Sequence, residues 1–234
     1  MKPWYKELGY SANPFSIKPL AYNEEIYGYD TDKIFSKIDD GEVVLIHGQY
    51  GKGKTAILKK IIRRFGGSRK LIYYSCNRTE DTIDFDRLIE GRYGVLGRTL
   101  GLKSSDMIIL LDEAQDMKPA DTQVLKEYYK KYFKSIVLVT HDAKLVTEMN
   151  GITDLLGENV IHLEPITPDD AVKIVRKRIG NIQLLSDDMI RKIFEKSDNN
   201  PRHLLKNCED VCRHAINNGY TEVKDEHLSV LGKK

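Results

Sequence analysis

Val43-Val44-Leu45-Ile46-His47-Gly48-Gln49-Tyr50-Gly51-Lys52-Gly53-Lys54-Thr55-Ala56-Ile57-Leu58 runs from an apolar stretch, through a glycine-rich turn, into a segment of different periodicity. Val43–His47 reads as a buried strand, because a strand covered on both faces is apolar throughout rather than alternating. Beyond the turn, Ile57, Leu58, Ile61, Ile62 and Phe65 share one helical face. Lys59, Lys60, Arg63 and Arg64 share the other, and Gly66-Gly67 ends the helix. The turn itself, Gly48 to Thr55, fits G-x-x-x-x-G-K-[ST] in the strand–loop–helix context that this pattern needs. Its glycines let several N–H groups face one point, and the helix N-terminus adds positive potential there, so the loop suits a phosphate chain. Lys54 is placed to reach β- and γ-phosphates, and the Thr55 hydroxyl to join a magnesium ion. Gly48, Gln49, Tyr50, Gly51, Lys52, Gly53 and Ala56 complete the expected nucleotide-binding set.

A second stretch supplies the chemistry that a bound triphosphate needs. Met107-Ile108-Ile109-Leu110-Leu111 is an apolar run ending in Asp112-Glu113. Two adjacent carboxylates at the C-terminal end of a buried strand are costly unless they serve a cation or a water. Asp112 suits magnesium, through its water shell, and Glu113 suits the polarisation of an attacking water. The alternative use of the pair, as caps for the next helix, is one that Asp116 and Pro119 can fill instead. ATP and Mg2+ are therefore the expected ligands, and ATP hydrolysis the expected reaction.

Three further apolar runs, Leu71–Cys76, Ile136–Thr140 and Asn159–Leu163, bring the strand count to five. Helical periodicity separates them, the pattern of an α/β fold with helices on both faces of a parallel sheet. Val124, Leu125, Tyr128, Tyr129 and Tyr132 predict one of those helices. After Leu163 the character changes. Thr167-Pro168-Asp169-Asp170 is a helix start, with a cap, a proline at the first position and acids in the first turn. Another helix opens near Ser186, and a third runs from about Pro201 to Asn218, before Gly219. The expected organisation is an α/β domain over residues 1–164 and a small all-helical domain over 165–234, divided near Pro165.

The 234 residues carry 41% hydrophobic and 31% charged side chains, the balance of a soluble globular chain. A net charge of +2 gives no whole-molecule pull toward nucleic acid or anionic membrane, so any such attraction is local. Cys76, Cys208 and Cys212 form neither a disulfide framework nor a zinc spacing. No apolar run is long enough to enter a membrane and Met1 to Tyr10 does not resemble a signal peptide, which points to a cytoplasmic protein.

With the glycine-rich loop, the Ile-Leu-Leu-Asp-Glu run, a later strand with polar residues at its end and a helical tail, the chain resembles the AAA+ ATPases over almost its whole length. Within that superfamily it is most similar to the origin-recognition initiators and to the ExeA- and TnsC-like ATPases. The resemblance implies a P-loop core with a five-stranded parallel sheet and a C-terminal helical lid. Asn13-Pro14-Phe15 and Ile26-Tyr27-Gly28-Tyr29 resemble the segment, within residues 1–30, that flanks adenine in those groups. This implies adenine contacts for Asn13, Phe15, Ile26 and Tyr27. Asn200-Pro201-Arg202 resembles the lid signature in which Arg202 senses the γ-phosphate. Thr140 and His141 end the fourth strand, where the family places its first sensor. Register points to His141, hydrogen-bonding chemistry to Thr140, and both stay candidates.

The resemblance departs in one place. Members that fire in rings present an arginine just before the fifth strand, yet Asp142 to Val160 contains none, and only Lys144 as a lysine. A homo-oligomer or filament is what the resemblance implies, and with no such arginine basal turnover is expected to be slow. The winged-helix module that many initiators append is not expected within these residues. Two purposes follow. One is a DNA-associated ATPase of the replication-initiator or transposition-regulator type. Basic clusters at Lys59, Lys60, Arg63 and Arg64, at Lys126, Lys130, Lys131 and Lys134, and at Arg87, Arg92 and Arg98 would then meet phosphates. The other is an ATP-switched assembly ATPase of a secretion or pilus complex, with those clusters as plain solvated surface.

Overall fold

The computed structural model describes residues 3–17, 29–66, 70–77, 82–93, 105–142 and 152–231. Five strands are present: β1 (Val43–His47), β2 (Leu71–Ser75), β3 (Met107–Asp112), β4 (Phe133–Thr140) and β5 (Val160–His162). They form one sheet in the order β2-β3-β4-β1-β5, and every pairing is parallel. Parallel neighbours need crossovers, which here include α3 (Lys54–Phe65) after β1 and α5 (Pro119–Tyr128) between β3 and β4. The other α-helices among the described residues are α1 (Trp4–Glu7), α2 (Thr31–Asp39), α4 (Phe85–Glu90), α6 (Ile152–Leu156), α7 (Pro168–Ile179), α8 (Asp187–Glu195) and α9 (Pro201–Asn217). The five-stranded parallel sheet with flanking helices is the fold that the apolar runs predict.

Two expectations change at their edges. β4 begins at Phe133 rather than Ile136, because Ser135 is fully buried with its hydroxyl donating to the Glu42 carbonyl. A polar residue satisfied in that way costs a strand little. The helix predicted through Tyr132 stops at Tyr128. Tyr129 is extended and Lys130 is left-handed at φ +65°, its ammonium donating to the Gly41 carbonyl. Tyr132 thus lies outside the helix although its spacing fits one.

The chain forms two compact units, one of residues 30–50 and 54–163, the other of 1–29, 51–53 and 164–234. Residues 1–29 and the tip of the glycine-rich loop therefore group with the helical unit, where the sequence reading set residues 1–30 with the sheet. The sheet unit has its own core, which includes Leu45, Ile109, Leu111, Ile136 and Leu138 at no exposure. The helical unit is built around a second core of Ala171, Val175, Ile190, Ile193, Leu204, Cys208, Val211 and Cys212. Cys208 and Cys212 are small buried hydrophobes, and burial drives the Cys212 thiol up to about 12.

Helix ends in this unit follow local chemistry. Thr167 caps α7: its hydroxyl accepts from the Asp170 amide at 3.1 Å while the Asp170 carboxylate accepts from the Thr167 amide and hydroxyl. Ser186 accepts from the Met189 amide to open α8, and Asn200 accepts from the Arg202 amide to open α9. Thr167→Ala is expected to cost about 1 kcal/mol, the usual worth of a cap. Urea unfolding should show a lower midpoint with an unchanged slope.

Candidate functional site

The glycine-rich loop leaves β1 at His47 and re-enters helix at Lys54. Gly51 and Gly53 stand at φ +80° and +89°, a backbone that side chains resist, and a Cβ at Gly51 would lie 2.3 Å from Asn200 Oδ1. Lys54 is buried, and its ammonium donates to the carbonyls of Gly48 at 2.6 Å and Gln49 at 3.1 Å. It also lies 5.2 Å from the centre of the exposed Tyr50 ring. Burial lowers the Lys54 pKa, while the nearby Glu113 and Asp112 carboxylates oppose the shift. Thr55 is exposed on the first turn of α3, one residue beyond this ammonium.

The acidic pair ends β3. Burial raises the Asp112 pKa, against hydrogen bonds from the Tyr73 hydroxyl to Oδ2 and from the Glu113 amide to Oδ1, each 3.0 Å. Glu113 adopts the left-handed region at φ +53°, ψ +46°, a strained choice for a side-chain-bearing residue. In that conformation its Oε2 accepts from Gln115 Nε2 at 2.8 Å and lies 3.2 Å from His141 Nδ1. The His141 ring in turn stacks on Tyr50, 4.5 Å between centres.

The sheet order explains the convergence. β1, β4 and β3 are consecutive neighbours, so the loop after β1, His141 after β4 and Glu113 after β3 leave one edge of the sheet. Thr140 and His141 separate clearly here. Thr140 is fully buried, its hydroxyl donating to Gln115 Oε1 at 2.7 Å, whereas His141 meets the Glu113 carboxylate directly.

Four other sequence candidates, Asn13, Phe15, Pro201 and Arg202, belong to the helical unit. Phe15 is a core residue of the helical unit, stacked parallel on Trp4, and the Asn13 side chain accepts from the Phe15 amide. Pro201 and Arg202 form the first turn of α9, where Arg202 is exposed and, among the described residues, its guanidinium has no partner. Within the same unit Lys52 reaches the Asn199 carbonyl at 3.5 Å and Tyr29 donates to the Lys52 carbonyl at 2.6 Å. Ile26 and Tyr27 lie outside the described residues, as do Arg98 and Lys144.

Sequence reasoning missed two contributors. Tyr73 is the outward-facing residue of an otherwise largely buried strand, and Gln115 follows Glu113 by two residues. Only the first carried a signal, an aromatic near the C-terminal end of an apolar run. The basic clusters are partly occupied. Lys60 donates to Thr31, Arg64 pairs with Asp39 over the Phe35 ring, Lys126 faces Asp154, and Lys130 holds the Gly41 carbonyl.

A hard divalent cation suits the donors present. Thr55 offers a hydroxyl and Asp112 a carboxylate, and no cluster of three or more His, Cys, Asp or Glu ligands exists among the described residues. One hydroxyl and one carboxylate, with water and phosphate oxygens for the rest, is how magnesium is usually held, unlike zinc or calcium in an all-protein cage.

Comparison with known proteins agrees with this architecture. A family model described as the AAA domain matches residues 40–168. An uncharacterised HTH-type transcriptional regulator of Methanocaldococcus jannaschii is 23% identical over 141 residues, 53% of this chain and 34% of that protein. Among solved structures, Drosophila ORC bound to DNA superposes with a TM-score of 0.71 at 11% identity, over 99% of this chain and 66% of that one. Aeropyrum pernix ORC1 in complex with DNA gives 0.70 at 17% identity, over 90% and 66%. The Thermotoga maritima RuvB Holliday junction branch migration motor gives 0.65 at 15%, over 85% and 66%. The chain thus spans about a third of that regulator and just under two thirds of those three solved chains. At these identities the structural matches speak for the fold, but the family match covers more than half of the sequence, from before the glycine-rich loop to beyond β5: the chain belongs to the AAA family of ATPase domains.

Proposed function

We propose that this protein binds ATP with magnesium at the Gly48–Thr55 loop and hydrolyses it, in association with DNA. One observation carries the catalytic part: three neighbouring parallel strands deliver Lys54, His141 and Glu113 to the same edge of the sheet. The backbone amides of the loop cradle the phosphates, and the Lys54 ammonium exchanges the Gly48 and Gln49 carbonyls for β- and γ-phosphate oxygens. Thr55 and Asp112 would hold the magnesium, with Tyr73 fixing one Asp112 oxygen. Magnesium, when bound, offsets the charge on the phosphates. Glu113 takes the proton of the attacking water on Oε1, because Oε2 is already engaged by Gln115 and faces His141. His141 is the first-sensor residue on this reading, and Thr140 supports it from the core.

The DNA association has its own support: the likeness to two origin-recognition structures that contain DNA, together with exposed Lys131, Arg63 and Arg87. Residues 142–160 contain no arginine, and an arginine finger is worth roughly three to five orders of magnitude in rate. Slow turnover by the single chain is the consequence. Phosphate release should therefore rise with protein concentration, and rise further with duplex or single-stranded DNA. Measurement of specific activity against protein concentration, with and without each DNA, decides both parts. Fast release that stays constant down to monomer concentrations would sink the need for a partner. A rate indifferent to either DNA would return the basic residues to plain surface.

A further inference from the structure

β5 places a second histidine beside β1. His47 and His162 are register partners at the ends of adjacent parallel strands, and their Nδ1 atoms lie 3.2 Å apart. The tautomer of His47 follows from its other nitrogen: Nε2 is 3.1 Å from the His141 carbonyl, which only accepts, so Nε2 carries the hydrogen and Nδ1 a lone pair. A carbonyl holding the far N–H is also the usual arrangement behind a metal-ligating imidazole, since it fixes the ring and raises the basicity of the free nitrogen.

The spacing is that of a chelate. Two nitrogens bound to one tetrahedral zinc at about 2.0–2.1 Å each stand roughly 3.3–3.4 Å apart. As the rings stand, His162 Nδ1 carries a hydrogen and donates to that lone pair. Metal binding takes the other tautomer of exposed His162 and a rotation of both rings, so that the two lone pairs meet at one point. No proton is lost overall, because neutral imidazole is the ligating form.

We infer that His47 and His162 form a binding site for a zinc-class transition metal ion, separate from the magnesium donors Thr55 and Asp112. No third His, Cys, Asp or Glu completes a cluster among the described residues, so water fills the remaining positions and the ion exchanges readily. The site tethers the last residue of β1, one position before Gly48, to the strand beside it. It also fixes the imidazole that holds the backbone of His141.

The test is a calorimetric titration of tag-free full chain with zinc chloride, without nucleotide, repeated with cobalt(II) as a second ion of the same class. One saturable ion per chain is expected. Affinity should fall at least tenfold in His162→Ala and stay unchanged in His203→Ala, an exposed histidine of α9 that serves as control. Binding by wild type that does not saturate below the millimolar range would overturn the site. So would the same isotherm in His162→Ala.

Discussion

Glu113→Gln should leave ATP bound and cut turnover by two to four orders of magnitude, the usual worth of a positioned general base. The amide keeps the shape of the carboxylate, and the left-handed backbone at residue 113 is unaffected by the exchange. What it loses is the negative oxygen that, in the proposed reaction, takes the proton from water. It also places a second amide beside Gln115, whose Nε2 now donates to Oε2, so the side chain rotates unless its remaining oxygen accepts that bond. Single-turnover hydrolysis, with nucleotide affinity measured in parallel, separates the two effects. Turnover within a few-fold of wild type would move the base elsewhere, whereas lost affinity would indicate that Glu113 helps to hold the nucleotide.

Lys54→Ala should abolish tight ATP binding. The ammonium is the charged group nearest to the loop carbonyls that it holds, and burial has already stripped much of its water. Its charge-assisted contacts to phosphate, at about 1.5–3 kcal/mol each, amount to at least one to two orders of magnitude in affinity. The folded state should not suffer in proportion, since the variant also removes a buried charge. Calorimetric titration with ATP, after circular dichroism has confirmed the fold, reads the effect. An affinity equal to wild type would remove Lys54 from the phosphates.

The loop and the acidic pair were legible because each is a local pattern whose residues stand together in sequence. The caps at Thr167, Ser186 and Asn200 were legible for the same reason, each hydroxyl or amide reaching no further than the next turn. What the sequence hid was set by pairing across the sheet. Ser135 looked too polar for a strand until the Glu42 carbonyl, 93 residues away, met its hydroxyl. Tyr132 looked helical until Lys130 turned left-handed to reach Gly41. Thr140 and His141 could not be ranked from sequence, because the choice turns on which of two successive side chains faces into the sheet core. Burial of Thr140 against Gln115 leaves His141 for Glu113.

The order β2-β3-β4-β1-β5 also bears on how the chain is born. β1 emerges first from the ribosome yet pairs only with β4 and β5, and its contact to His162 spans 115 residues. At roughly 5–20 residues per second, its apolar Val43–Ile46 run waits several seconds for a partner. Loop closure over that distance is paid before any pairing returns it, which makes this a slow step. A nascent chain halted before Phe133 would thus hold the complete glycine-rich loop sequence with no β4 on which to dock it, and would expose an edge inviting to chaperones.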